Sequence, residues 1–162
     1  MFAVPSPAAA LAWRALLTAL LLAACVTDVR ARRIPNALVL ALTGAAFVRA
    51  AVVVWAGEPA AGLAAGFGDA ALGAAAGLAL WLPLYAVGAF GAGDVKLFAA
   101  AAAWLGPTGV PSATLYAALA GGVLGLAWLA TRQLPAVFTE RRRVPYGVAI
   151  AAGVLGTVWV GP

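Results

Sequence analysis

Gly91-Ala92-Gly93-Asp94-Val95-Lys96 sets a carboxylate and an ammonium two residues apart in a chain where 9% of residues are charged. Two glycines stand before the Asp, and an apolar run from Leu97 to Leu105 follows the Lys. Ionisable groups at the edge of a membrane segment are costly, and by default they mark function. The plainer reading is a glycine turn between helices, with Asp94 as an N-cap and Lys96 snorkelling to the surface. A second lone carboxylate, Asp28, lies at a matching depth elsewhere in the chain and tips the balance toward chemistry.

The sequence around this stretch requires lipid as its solvent. Of 162 residues 65% are hydrophobic, with a mean hydropathy of +1.04, whereas a soluble domain carries about 25% charged residues. The formal charge of +5 therefore reads as membrane orientation and not as a nucleic-acid surface. With no histidine, histidine-based zinc sites and Ser-His or Cys-His pairs are excluded. The single Cys25 can form neither an internal disulfide nor a four-cysteine metal site. No metal or cofactor is expected, and the carboxylates are left as the acid–base groups for neutral pH.

An all-α polytopic protein of six transmembrane helices is expected, in a single domain over residues 1–162. Helix 1 covers residues 8–27, about 30 Å at helical rise, enough to cross a bilayer. A lipoprotein signal peptide competes, since Leu22-Ala23-Ala24-Cys25 resembles a lipobox. Its charges run the wrong way, with Arg30, Arg32 and Arg33 after the apolar run and no cation before Arg14. Helix 2 starts at Ile34-Pro35-Asn36, where Pro35 suits a first turn, and runs to about Trp55. Arg49 should lie near its outer end, snorkelling or reaching Glu58 or Asp69. After a loop over 57–68, helix 3 spans about 69–87. Helix 4 begins at Asp94 and ends at Gly106-Pro107, short for a crossing. Helix 5 spans about 112–130, with Gly121, Gly122 and Gly125 permitting close approach. A polar stretch over 132–143 leads to helix 6, from Val144 or Pro145 to Trp159.

With an outside amino terminus, the loops after helices 1, 3 and 5 hold Arg30, Arg32, Arg33, Lys96, Arg132, Arg141, Arg142 and Arg143, eight of the ten cations. That satisfies the positive-inside rule and puts both termini outside. Trp13, Trp55, Trp104 and Trp159 fall at the outer interface, as an aromatic belt. The Arg141-Arg142-Arg143 run reads as an orientation anchor.

Depth then pairs the acids. Asp28 lies roughly 22 Å below Trp13, and Asp94 roughly 15 Å below Trp104 on a straight helix. Both sit at or below the middle of a ~30 Å core, toward the cytoplasm. Facing each other, they could share one proton and avoid two adjacent buried charges. In an aspartic protease one such carboxylate activates water while its protonated partner polarises the carbonyl. Asp94 at a helix N-terminus faces a positive dipole end, and Asp28 at a C-terminus the opposite. This assigns Asp94 as resting base and Asp28 as resting acid. Without side chains, Gly91 and Gly93 let a substrate backbone approach.

Asp28-Val29-Arg30-Ala31-Arg32-Arg33-Ile34-Pro35-Asn36 together with Gly91-Ala92-Gly93-Asp94-Val95-Lys96-Leu97 resembles the paired motifs of type IV prepilin leader peptidases, membrane aspartic proteases of the GxGD type. Pro145-Tyr146-Gly147 resembles a Pro-Phe/Tyr-Gly element common there. Gly-x-Gly-Asp alone is a weak signal; joined to Asp-x5-Ile-Pro-Asn in this order and on this membrane side it is strong. The resemblance implies that Asp28 and Asp94 are the catalytic pair. It also implies a multi-pass protein of the bacterial inner membrane. Its substrate would be a prepilin or pseudopilin whose short basic leader is cut after a Gly on the cytoplasmic side. Larger members carry a further cytoplasmic segment with cysteines and N-methylate the new amino terminus. This chain has no room for that segment, so it resembles short, peptidase-only members such as those of tight-adherence pilus systems, and methyltransferase activity is not expected.

Two other readings stay open. A small proton-coupled transporter would use lone membrane acids and a broken helix 4, with carboxylates near the midplane. A non-catalytic pilus or secretion assembly subunit would keep only the fold. Lys96 and Tyr146 are candidate substrate-binding groups beside Gly91 and Gly93. Asn36 reads as a helix-start group, Asp69 and Glu58 as interfacial, and Trp81, Trp128 and Cys25 as packing residues.

Overall fold

A computed structural model describes residues 7–56, 64–131 and 146–160. Its elements are all helical: α1 (Pro7–Ala31), α2 (Asn36–Ala56), α3 (Phe67–Ala86), α4 (Ala92–Thr131) and α5 (Tyr146–Val160). Four of them, α1 to α4, are long and apolar enough to cross a membrane by length and composition. The expected six spans meet that measure only in part, because α5 has 15 residues and α4 is one element of 40. Glu58, the 132–143 polar stretch with its arginines and the Val144-Pro145 helix start lie outside the described residues.

At 1.5 Å per residue a straight α4 would be about 60 Å long, twice the bilayer core. It is not straight. Gly106 has φ 70° and ψ 176°, non-helical values inside the element. The left-handed half of φ space favours glycine, and Pro107 behind it suits a first helical turn. The break forecast at Gly106-Pro107 is thus where the sequence puts it. The second arm starts at once and does not wait for Ser112, since helix continues through Pro111.

Contacts give the arms their directions. Along α3, Gly73 packs on Ala102 and Gly106, Gly77 on Ala102, and Trp81 stacks on Phe98 with centroids 4.3 Å apart, so α3 and the first arm are antiparallel. The Trp81 indole N–H also reaches the Thr114 hydroxyl at 3.4 Å, so the second arm folds back beside the first. Helix α5 returns along that arm, with Gly153 against Ala113 and Ala117 and Tyr146 against Gly121. Helix α1 lies antiparallel to α5, joined at one end by Asp28 and Gly147 and at the other by Arg14 over the Trp159 ring, 5.6 Å from its centroid.

The first arm of α4 is the axis of the bundle. Leu97, Phe98 and residues 100–105 are all buried, and the alanines among them let neighbours approach. Outward faces carry Leu40, Val123 and Leu126, each more than 65% exposed, as suits lipid contact. Trp104 departs from the expected belt: it is fully buried, donates its indole N–H to the Leu42 carbonyl at 2.9 Å and meets Trp13 edge-on. A polar indole at that end is satisfied by protein and not by the interface.

The segment before α3 closes the far end of the bundle. Buried Arg49 donates to the Ala64 carbonyl at 2.6 Å, and the Ala64 N–H donates to the Trp104 carbonyl at 2.7 Å, satisfying one of the acceptors that a helix end leaves open. Asp69 accepts from the Ala65 N–H. Arg49 is therefore packed inside the protein rather than snorkelling.

Candidate active site

Two helix ends and one tight turn build the site. Helix α3 stops in a Schellman arrangement: the Gly88 N–H bonds the Tyr85 carbonyl, the Ala89 N–H bonds the Leu84 carbonyl, and Gly88 takes φ 79°. Phe90 then wedges between Trp81 and Tyr146, with centroids 4.8 and 4.5 Å away. Helix α4 opens at Ala92, two residues earlier than expected, and this changes the local role of Asp94. In its first turn Asp94 reaches back so that Oδ2 accepts the Gly91 N–H at 3.0 Å, the reciprocal half of a capping box. The plain capping role and the cavity-facing role are thus held together by one side chain.

Helix α1 runs past Thr27 to Ala31, so Asp28 sits inside its last turns. Asp28 is 8% exposed, and its Oδ2 accepts the Gly147 N–H at 2.9 Å. The Cys25 thiol lies 3.6 Å from the Gly147 carbonyl, so one residue of α5 is clasped to α1 through both of its peptide groups. Each carboxylate thus holds one backbone N–H with Oδ2. Among the described residues no donor reaches either Oδ1.

The two acids share one cavity of about 320 Å³. Asp28, Asp94, Gly91, Gly93, Lys96 and Tyr146, the six residues singled out from the sequence, all line it. Arg32, Arg33, Ile34 and Asn36 complete the wall. The carboxylates lie within Coulombic reach of one another, and Tyr146 within reach of Asp94. Lys96 is exposed and has no ion-pair partner among the described residues. Because the Gly147 N–H belongs to the first turn of α5, Asp28 faces the positive end of a helix dipole, as Asp94 does. The helix-end argument for Asp94 as resting base and Asp28 as resting acid loses its basis.

Sequence reasoning read Arg32 and Arg33 as orientation charges only, and Asn36 as a helix-start group. Their nearness to Asp28 in the chain was the available signal. Gly147 entered only through the Pro-Tyr-Gly resemblance, because a backbone N–H donor leaves no trace in the residue type. No group of three or more metal-ligating side chains occurs among the described residues.

Comparison with known proteins assigns the chain to a family. The model of the type IV leader peptidase family matches residues 15–126, which include both carboxylates. The chain belongs to that family. A prepilin leader peptidase/N-methyltransferase of Burkholderia pseudomallei is 36% identical over 152 residues, covering 90% of this chain and 45% of the relative. One of Pectobacterium carotovorum is 38% identical over 131 residues, covering 75% of this chain and 43% of the relative. One of Aeromonas salmonicida is 34% identical over 100 residues. The chain thus spans less than half the length of these leader peptidases. No solved structure matches.

Proposed function

We propose that this member of the family is a membrane aspartic endopeptidase that removes the short basic leader of type IV prepilin-like proteins on the cytoplasmic side of the inner membrane. The observation that carries the reading is the shared cavity, lined by Asp28 of α1 and Asp94 of α4, each with one oxygen that no donor reaches among the described residues. The chemistry follows from that placement. One carboxylate takes a proton from water as the oxygen attacks the scissile carbonyl carbon. The other, protonated, donates to the carbonyl oxygen, and collapse of the tetrahedral centre with proton transfer to nitrogen breaks the C–N bond. Gly91 and Gly93 leave room for an extended substrate backbone, and Tyr146 and Lys96 flank it.

The fold supports six spanning segments if the two arms of α4 count separately, with both termini outside and the cavity at the basic, cytoplasmic end. The Asp94 capping bond governs the choice of variants. Asp28→Asn and Asp94→Asn keep a carbonyl acceptor for the Gly147 and Gly91 N–H groups while losing the ionisable oxygen. Each is expected to abolish cleavage of a co-expressed prepilin while the protein still accumulates in the membrane; processing that survives either change removes the proposal. Asp28→Ala and Asp94→Ala should do the same with an added loss of stability. The carboxylates sit beside the basic end of the bundle, which favours hydrolysis over a transporter with acids at the midplane.

A further inference from the structure

Each of the two acids is held by the amide of a glycine that directly follows an aromatic residue. Asp94 Oδ2 accepts the Gly91 N–H at 3.0 Å, and Phe90 precedes Gly91. Asp28 Oδ2 accepts the Gly147 N–H at 2.9 Å, and Tyr146 precedes Gly147. The two rings meet edge-on, a preferred aromatic geometry, with centroids 4.5 Å apart and planes at 62°. One ring pair therefore joins the two amides that anchor the two carboxylates.

The contact is fixed from both sides. Phe90 also stacks on Trp81 with centroids 4.8 Å apart, and Trp81 stacks on Phe98 at 4.3 Å. Phe98 stands one helical turn beyond Asp94, on the buried first arm of α4. At the other end the Tyr146 hydroxyl lies against Gly121 of the second arm, where a Cβ would collide with it. Four rings thus run from α4 through α3 and the turn to the start of α5. Phe90 is what ties that turn down. Its internal hydrogen bonds shape it, but residues 82–89 are all exposed, and Phe90 is the first side chain after Trp81 to pack inward.

We infer that Phe90 and Tyr146 form a brace that sets how far apart Asp28 and Asp94 stand, which makes Phe90 a positioning residue of the site. The inference rests on the peptidase reading and deepens it. Two acids that share one proton are coupled through their separation. Held close, the first ionisation opposes the second, and their apparent titrations move apart. A slackened brace lets the acids drift and the titrations converge. Cys25 on α1, Arg32 and Arg33 after it, Lys96 on α4 and Tyr146 on α5 are the other ionisable groups facing the pair. Substituting Phe90 leaves all of them in place, and Phe90 itself neither ionises nor hydrogen-bonds through its side chain. Water admitted by a smaller side chain would lower both titrations together, whereas lost coupling brings them toward each other.

The test uses the full-length protein in lipid vesicles with one prepilin-type substrate, kcat and KM being read across the acidic and neutral range. In Phe90→Leu, kcat should fall about tenfold with KM unchanged, within the ~100-fold that a 1 Å misplacement costs. The two limbs of the bell-shaped kcat profile should close by about one pH unit, the coupling at which two titrations separate. Limb positions do not depend on how much of a variant is folded, so poor folding cannot imitate the result. Phe90→Met, whose flexible side chain adapts to the gap, supplies the profile if the leucine variant is too slow to measure. Tyr146→Phe keeps the ring and should keep the limb spacing. In the double variant Phe90→Leu/Tyr146→Leu the losses should not multiply, because both changes remove one contact. Phe47→Leu removes the stack on Phe67 at the far end of the bundle and should leave kcat and both limbs at parent values. Limbs no closer than the parent's in the Phe90 variants overturn the inference, as do multiplied losses or an equal narrowing in Phe47→Leu. Narrowing in Tyr146→Phe also overturns it, by assigning the coupling to the hydroxyl. If the parent protein does not cleave the substrate, the peptidase reading itself fails. Cleavage with unmoved limbs leaves that reading intact and removes only the brace.

Discussion

Each carboxylate packs against a glycine where an added methyl group would crowd it. A Cβ at Gly147 would stand 2.8 Å from Asp28 Oδ2 and 3.2 Å from its Cβ, and a backbone-anchored acid cannot retreat cheaply. Gly147→Ala is expected to cut prepilin cleavage by about 100-fold, the scale on which small misplacements of reacting groups are felt. At Gly91 the corresponding contact is 3.2 Å to Asp94 Oδ2, a smaller intrusion, so Gly91→Ala should lose less. Initial cleavage rates for the two variants side by side check the order. The acids themselves were legible in the sequence because charge is so scarce in this chain that any lone carboxylate needs a reason. Arg32 was not, because residue type does not reveal that a helix ends in a left-handed turn with its side chain at a cavity. Nor was Gly147, since the group that matters there is an amide every residue but proline possesses.

Among the elements, α4 was read almost correctly and for a sound reason. A Gly-Pro step both permits a positive φ and starts a new first turn, so the reversal could be forecast from two residues. The start of the second arm could not, because Pro111 looks like a second interruption and the structure runs helix through it. The bend makes a separable prediction. A Cβ at Gly106 finds ordinary contacts of 3.6 Å and beyond, so Gly106→Ala should destabilise only through its backbone angles, by about 1–3 kcal/mol. Gly73→Ala has an ordinary helical backbone but drives its methyl group into the Ala102 carbonyl, and overpacking of that kind costs about 1–3 kcal/mol. Unfolding in mixed micelles should show both losses. Asn at position 106 should recover little of the first, because a ψ of 176° lies outside the αL well that asparagine tolerates. Asn at position 73 should recover none of the second.

For the whole molecule, the contacts orient α1, α3, α5 and the two arms of α4 against one another, and the proposed topology takes its sign from the cations. The cavity end holds Arg32, Arg33 and Lys96, and the opposite end holds Trp13, Trp104 and Trp159. In a Cys25→Ser background, Arg33→Cys is expected to react with a membrane-impermeant maleimide only in inside-out vesicles, and Val160→Cys only in intact spheroplasts. Both sites are exposed in the structure. Labelling of both from the same side would overturn the topology. Composition made the membrane environment plain. The burial of Trp104 and Arg49 escaped, because a tryptophan or arginine near a span end looks the same whether it meets headgroups or a carbonyl of its own chain.

Asp28 comes from the first helix, and the amide that holds it comes from the last. A chain emerging from the ribosome therefore carries both acids into the bilayer before the amide that anchors Asp28 has been made. The pocket closes only when the final helix is inserted and docks. On the peptidase reading, a nascent chain that has not yet inserted α5 would leave the hydrophobic segments threaded around it uncut.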